Sequence, residues 1–384
     1  MLKLLVVPSR YPNDFNKLQG SFYREQSLAL AKLQIDVRVL AVVGYSLKEI
    51  LKNRKILGTR KEYLDSGVLT VVRSVFNVPK LKRLNYFFRA VLGLSEYNKL
   101  CADWKPDIIL AHSFAGGDIA GRISDRTRIP FAITEHSSKF FKKLHFYEAL
   151  KAQEVFRKAS RRWAVSPALA NQLRQTFDLT FETMPNSVDK DMFKPGGRVR
   201  SAGDPVVFLN IGNLVPVKRT YELILAFHHA RIKCSLPLKL RIVGGGPERK
   251  RLERLIVKLE EQAMIELVGT LPRDKVANII AESDCLVVAS RVETFGVVII
   301  ESLSCGVPVI STRCGGPEHI LAEAPFCSLV EDVDKSLASK MIEFAERGSV
   351  DREAIRTFAV ERYSAEAVAR RYIEELSSII TQPK

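Results

Sequence analysis

No stretch of about 18 uninterrupted apolar residues occurs in the chain, which excludes a conventional membrane-spanning helix. The six cysteines, at 101, 234, 285, 305, 314 and 327, form no CxxC pair and no even framework. A disulfide scaffold is thereby excluded, and the thiols are expected to be reduced, mostly buried and cytoplasmic. The opening run Leu2–Val7 ends at Pro8 and lacks the longer apolar region and small-residue cleavage site of a signal peptide, so it is read as a first strand. Low-complexity segments, short repeats and helix-turn-helix, RRM or zinc signatures are missing too. What remains is ordinary globular material: 46% apolar and 27% charged in 384 residues, enough for two cores of usual size.

Acidic residues are scarce in one half only. Met1–Pro195 carries 33 Lys and Arg against 18 Asp and Glu, whereas the rest carries 26 against 25, so nearly all of the net +16 belongs to the first half. Two readings fit: an acidic partner for that half, such as nucleic acid, an anionic membrane face or a phosphorylated acceptor, or a solvated basic surface. Cations interleave with apolar and aromatic residues in Lys48–Lys61, in Lys80–Arg89 and in Lys139–Tyr147. Such segments either lie on an anionic bilayer or form amphipathic helices packed on a sheet.

Short β-rich runs alternate with helical patterns. Leu2–Val7, Val37–Val42, Ile108–Ala111 and Phe131–Thr134 come first; the rhythm stops at the Gly- and Pro-rich Lys194–Pro205 and restarts with Val206–Ile211, Leu240–Val243, Ile265–Val268, Cys285–Ala289 and Val307–Ser311. That is the βαβ pattern of two doubly wound α/β domains, 1–195 and 196–365. A last helical pattern spans Ser364–Ile380.

Ligands of such sheets sit beyond the carboxyl ends of the strands, where loops and helix N-termini point amides into a crevice. Val206–Ile211 runs into Gly212-Asn213-Leu-Val-Pro-Val-Lys218-Arg219, and Leu240–Val243 into Gly244-Gly-Gly-Pro. Both suit phosphate, the second also reading as an ordinary strand-to-helix turn. Lys218 would bring a full charge to a diphosphate. The informative segment is Ser290-Arg291-Val-Glu293-Thr-Phe295-Gly296-Val297-Val-Ile-Ile-Glu301, followed by Cys314-Gly-Gly-Pro-Glu318. Glu293 falls in the loop and Glu301 about two turns into the helix, so both address one ligand above the helix start while the amides of Phe295–Val297 meet its phosphates. Ionised carboxylates also suit vicinal sugar hydroxyls, each accepting strong hydrogen bonds.

Glu293 and Glu301 match the E-x7-E motif of retaining glycosyltransferases of family 4, the group 1 glycosyltransferases, and the chain resembles that family over nearly its whole length. Gly20 and Phe22, Thr134-Glu-His136, Ala164-Val-Ser166, Pro185-Asn-Ser-Val-Asp189 with Phe193 and Pro195, and each loop above carry the likeness. The resemblance implies a GT-B fold, two Rossmann-like domains facing a cleft, with a C-terminal helix of about 366–384 crossing back onto the first. It implies that Glu301 holds the donor ribose, that Glu293 faces the transferred sugar, and that the Gly296 amides and Lys218 bind the diphosphate. Gly20, Gly212, Gly244 and Val297 join them around the donor, and Leu271 meets the base. No metal or cofactor is implied; a UDP- or GDP-linked sugar is the substrate.

The chain departs from the family pattern where Asn213 stands for a usual Arg, for which Arg219 or Arg291 is the expected substitute, and where Ser187 stands for Gly. Asp189-Lys-Asp191 has the form of a DxD metal site but lies inside the interdomain motif and is read as turn acids. His136 follows a strand and would hydrogen-bond the reacting sugar or help deprotonate the acceptor; a loop histidine bracing local backbone is the other reading. His112 is a weaker candidate of the same kind. Expected partners are a lipid-linked or polysaccharide acceptor of bacterial surface type and an anionic membrane face met from the cytoplasm, with no nucleic acid. Sugar epimerases and phosphorylases of the same fold, and a basic nucleic-acid-binding protein, are the alternatives.

Overall fold

A computed structural model describes residues 1–13, 19–53, 56, 58–197, 200, 201, 203–333 and 335–381. The chain divides into two compact units: Met1–Ser187 with Ala365–Lys384, and Val188–Ser364.

The first unit holds eight strands: β1 (Lys3–Pro8), β2 (Asp36–Tyr45), β3 (Arg60–Asp65), β4 (Val68–Phe76), β5 (Ile108–His112), β6 (Phe131–Glu135), β7 (Arg161–Ala164) and β8 (Glu182–Thr183). They lie in the order β3-β4-β2-β1-β5-β6-β7-β8. Only β3 runs antiparallel, against β4. Both faces of the sheet are covered, so neighbouring residues of one strand are alike apolar. Leu4 and Val6 join the core with Tyr23 and Leu30 on one side, while Leu5 and Val7 are equally buried. On the side of Leu4 the helix Ala365–Thr381 completes the core with Val368, Tyr372 and Leu376. Tyr372 also exchanges a buried 2.8 Å hydrogen bond with the Thr134 hydroxyl.

The second unit is all parallel: β9 (Val206–Ile211), β10 (Leu238–Val243), β11 (Ile265–Gly269), β12 (Cys285–Val288), β13 (Val309–Thr312) and β14 (Ser328–Val330), ordered β11-β10-β9-β12-β13-β14. The chain winds outward one way from β9 and then the other way from β12, so the strand order reverses between them. In the first unit the same reversal falls between β1 and β5.

The division falls at Ser187 and Val188 rather than at Pro195. Val188 bridges to Ser364, and Phe193 is fully buried, its carbonyl accepting from the Ser304 hydroxyl at 2.7 Å and from Arg356 at 3.1 Å. The Gly- and Pro-rich segment is therefore internal to the second unit; its residues 198, 199 and 202 lie outside the described residues. The basic segment 48–61 is not one helix: Leu47–Lys52 is helical and β3 opens at Arg60, while 54, 55 and 57 lie outside the described residues. Cys285, Cys305 and Cys314 are buried, and all six cysteines are free thiols. Among the described residues no helix is long and apolar enough to cross a membrane.

Leu376→Ala should loosen the C-terminal helix by about 3 kcal/mol through lost burial and a residual cavity. Amide exchange of Ala365–Thr381 should then accelerate by about two orders of magnitude; unchanged exchange would show that this core does not hold the helix.

Candidate functional site

In the second unit the residues singled out by the sequence gather at the carboxyl ends of β9 and β12, on either side of the strand-order reversal. Gly212 follows β9 and is tied to β10 by its amide, 3.0 Å from the Val243 carbonyl. The Leu214 amide reaches the Gly245 carbonyl at 2.9 Å. Gly244 has φ 144°. A Cβ there would lie 1.8 Å from the Gly212 carbonyl oxygen, so no other residue fits. The 3-10 turn Pro216–Lys218 then leads into the helix Thr220–Lys233.

Beyond β12 the Arg291 amide donates to the Val217 carbonyl at 2.8 Å, binding this loop to the first one. Glu293 pairs through its backbone with the third loop, its amide on the Cys314 carbonyl at 2.8 Å and its carbonyl accepting from Gly316 at 2.9 Å. A Cβ on Gly316 would sit 2.4 Å from the Phe295 Cα, so the second glycine of Cys314-Gly-Gly is required by close approach. Gly296, at φ 93°, caps the helix Val297–Ser304. The first amides of that helix lack intrahelical acceptors, the feature by which helix starts hold anions.

Each acid of the pair meets a cation. The Glu293 carboxylate accepts from Lys218 Nζ and, at 2.7 Å, from the Ser290 hydroxyl. Glu301 is buried, and Arg273 Nη2 lies 3.0 Å from its Oε1. Arg273 opens the helix Arg273–Ala281 two residues after the half-buried Leu271, and its guanidinium stacks 5.2 Å from the Phe193 ring centroid. Arg219, left-handed at φ 54°, pairs with Asp332, which follows β14. That guanidinium holds the Asp332 carboxyl below its usual range, and Arg291 acts in the same direction. Asn213 is exposed on its loop. Asp189 spends a carboxylate oxygen on the amides of Asp191 and Met192, at 3.0 Å each, as a turn acid does.

The first unit places His136 after β6 and His112 at the end of β5. His136 Nδ1 is 3.1 Å from Asn186 Oδ1, and its Nε2 is 3.1 Å from His112 Nδ1. With the amide oxygen as acceptor, Nδ1 of His136 carries the proton and Nε2 accepts from His112. Burial pushes the His136 pKa down to about 3 and holds His112 well below its ordinary value. Phe22 and Tyr23 wall the pair, with ring centroids 5.4 and 5.0 Å from His136. Both come from the helix that Gly20 caps at φ 72°, where a Cβ would meet the Arg10 carbonyl oxygen at 2.8 Å. Buried Glu135 braces the loops after β5 and β6, accepting from the amides of Phe114, His136 and Ser137 at 2.8 to 2.9 Å.

Residues 20–182 match the glycosyl transferase 4-like domain, and residues 197–362 match the glycosyl transferases group 1 family. The chain belongs to the group 1 glycosyltransferases. It is 28% identical over 221 residues to N-acetyl-alpha-D-glucosaminyl L-malate synthase of Bacillus anthracis, an alignment spanning 54% of this chain and a little over half, 57%, of that enzyme. It is 25% identical over 337 residues, 84% of each chain, to a Bacillus subtilis glycosyltransferase assigned to teichuronic acid biosynthesis. In fold it matches the Anabaena protein HepE, solved in complex with UDP and glucose, with TM-score 0.72 and 17% identity over 98% of this chain and all of that one. The two Rossmann-like sheets are those of the GT-B fold.

In this glycosyltransferase the sequence located the loops but not the groups that hold the acids. Arg273, Ser290 and Asp332 were missed, as was the joining of His112 and Asn186 to His136. A cation at a helix start two residues after Leu271 was the signal for Arg273, and a hydroxyl three residues before Glu293 was the signal for Ser290; the contacts of Asp332, His112 and Asn186 are long-range and leave no local trace.

Because folded His136 titrates near 3 instead of the ordinary 6.5, it binds fewer protons folded than unfolded between those values. Stability should therefore fall as pH drops through that window and level off above it. His136→Gln cannot protonate there, so its urea-unfolding midpoint should fall less steeply between about pH 7 and about pH 4. Equal slopes would mean that the ring titrates normally.

Proposed function

We propose that this glycosyltransferase moves a sugar from a nucleoside-diphosphate sugar to an acceptor hydroxyl with retention of configuration, using Glu293, Glu301, Lys218 and the Gly296 amides around the donor. The observation that carries the reading is the placement of two carboxylates eight residues apart, one in a loop and one buried in the following helix, each held by its own cation. The donor exchanges partners with those pairs. Its diphosphate draws Lys218 and meets the amides of Gly296 and Val297, while Glu293, released from the lysine, accepts hydrogen bonds from the transferred sugar. Glu301, paired in its buried position with Arg273, accepts from the ribose hydroxyls, and half-buried Leu271 meets the base. Uridine is the favoured base, since HepE with the same fold was solved with UDP.

Retention rests on the E-x7-E resemblance. With both ring nitrogens already partnered and burial making it a poor base, His136 braces the loop after β6 rather than accepting the acceptor proton or hydrogen-bonding the sugar. The helix N-terminus and Lys218, with Arg219 or Arg291 beside them, supply the positive field that a metal would otherwise supply to the departing diphosphate. The acceptor is a lipid-linked or polysaccharide chain of bacterial surface type, met from the cytoplasm. The relative assigned to teichuronic acid biosynthesis supports that class.

Glu301→Ala should weaken UDP binding at least tenfold in calorimetric titration, since a charged hydrogen bond is worth about 1.5 to 3 kcal/mol. Glu301→Gln should lose less, as the amide keeps one acceptor. Unchanged affinity in a folded Ala variant would remove Glu301 from the donor site.

Turnover should also survive EDTA. Activity lost on chelation and restored by magnesium or manganese would return the diphosphate to a metal.

A further inference from the structure

The helix Lys82–Leu100 is apolar on two sides. Ala90, Gly93, Tyr97 and Leu100 face inward, with Gly93 so close to Ile119 that a Cβ would lie 2.4 Å from its Cγ2. Leu84, Phe87, Phe88 and Val91, spaced i, i+3, i+4, i+7, form a second stripe left in solvent; Phe87 and Phe88 are each 51% exposed. Such spacing normally marks a core face, so this stripe has a large apolar surface and no cover within the described residues of its unit.

A second helix extends the surface. Phe146, 75% exposed, and Leu150 flank Glu148 on the helix Phe146–Lys158. Glu148 receives Lys82 Nζ at 2.5 Å and the Tyr86 hydroxyl at 3.3 Å from the first helix. Glu148 therefore brings the first turns of the two helices together, and the exposed side chains of both, Val91 apart, lie within a turn of that junction along their helices. Around it stand exposed Lys80, Arg83, Lys142 and Lys143, and the Arg122 guanidinium lies 5.3 Å from the Phe87 ring centroid. Arg89 does not belong to this rim: it is turned inward, donating to the Val42 carbonyl at 2.9 Å.

We infer that this two-helix face of the first unit seats on an anionic lipid bilayer, with Leu84, Phe87, Phe88, Val91, Phe146 and Leu150 in the acyl boundary and the cations at the headgroups. Charge complementarity selects the occupant. The rim named above is cationic, and the half of the chain that carries it holds 33 basic against 18 acidic residues. An apolar centre ringed by cations suits a surface that is apolar within and anionic at its border, as a bilayer is. The inference rests on this face and not on the donor chemistry, so UDP binding serves as an independent control.

The test is co-sedimentation of the full chain with vesicles of phosphatidylcholine alone and with about one third phosphatidylglycerol. Two variants are compared: Phe87→Ser with Phe88→Ser and Phe146→Ser, and Arg83→Gln with Lys142→Gln and Lys143→Gln. The parent chain should partition to the anionic vesicles, less so as salt rises, and each variant should partition about tenfold less while binding UDP as the parent does. Equal partition of parent and serine variant, or equal binding to both vesicle types, overturns the inference. So does a parent chain that is dimeric in velocity sedimentation, becomes monomeric in the serine variant and ignores the vesicles, since the face would then belong to a second copy. Failure of UDP binding in the parent would count against the donor site and leave the vesicle result standing.

Discussion

The site proposed for the donor in this glycosyltransferase depends on backbone packed against backbone at the carboxyl edge of the second sheet. The Gly212 carbonyl occupies the volume that a Cβ of Gly244 would need, and Phe295 occupies the volume that a Cβ of Gly316 would need. With side chains removed from those crossings, loops from β9, β10, β12 and β13 come within hydrogen-bonding distance. The Gly212 amide finds the carbonyl at the end of β10, and the amides of Leu214, Arg291, Glu293 and Gly316 each find a carbonyl on a neighbouring loop. Glu293 is thereby fixed at both its amide and its carbonyl, and Gly296 is set where its left-handed φ starts the helix that carries Glu301. The separation of the two acids is a property of this lattice and not of either residue alone.

Electrostatics follow from the same crowding. A buried carboxylate without a partner costs several kcal/mol, and a paired one costs far less. Glu301 has Arg273, and Glu293 has Lys218 and Ser290. Pairing keeps the site charged without a ligand, at the expense of a competition that the ligand must win. On the proposed reading a diphosphate wins it at Lys218 because it brings two charges where Glu293 offers one, and the acid released is then beside the sugar. The histidine pair of the first unit is built the opposite way: burial removes its charge, and hydrogen bonds fix its tautomers.

Much of this was legible in the sequence, for identifiable reasons. Parallel strands buried on both faces read as continuous apolar runs, and β1, β5, β6 and β9 were found within a residue or two at each end. β3 was not, because Arg-Lys-Glu-Tyr-Leu-Asp is an edge strand exposed along most of its length and carries no apolar signal. β7, β8 and β14 are only two to four residues long, too short for any period. The unit boundary was displaced because composition marks the Gly- and Pro-rich segment Lys194–Pro205, whereas packing is decided earlier by Phe193. Glu293, Glu301 and the glycines were visible because local spacing brings them together. Arg273 and Glu301 are joined only by the fold, and nothing adjacent in sequence announces their contact. Arg89 shows the converse, a cation in a basic stretch that the fold turns inward.

The uneven charge of the two halves acquires a physical reading at this level. In the second unit the cations near the site are matched by acids within it: Lys218 by Glu293, Arg219 by Asp332 and Arg273 by Glu301. On the proposed reading this unit releases a multiply charged product and gains from such matching, since an uncompensated cluster of cations would hold the nucleotide too tightly to turn over. The first unit pairs acids with cations too, at its surface, as in Arg38 with Asp103 and Lys158 with Asp125, and in its interior. Asp118 is buried with Lys151, Glu148 gathers Lys82 and Lys139 between two helices, and Glu135 is spent on backbone amides. Its excess of cations is left at the surface, where they act at a distance set by salt and without cost of burial. One half thus carries its charge in near balance, with pairs at the proposed site, and the other carries a cationic excess beyond its pairs, which acts as a field.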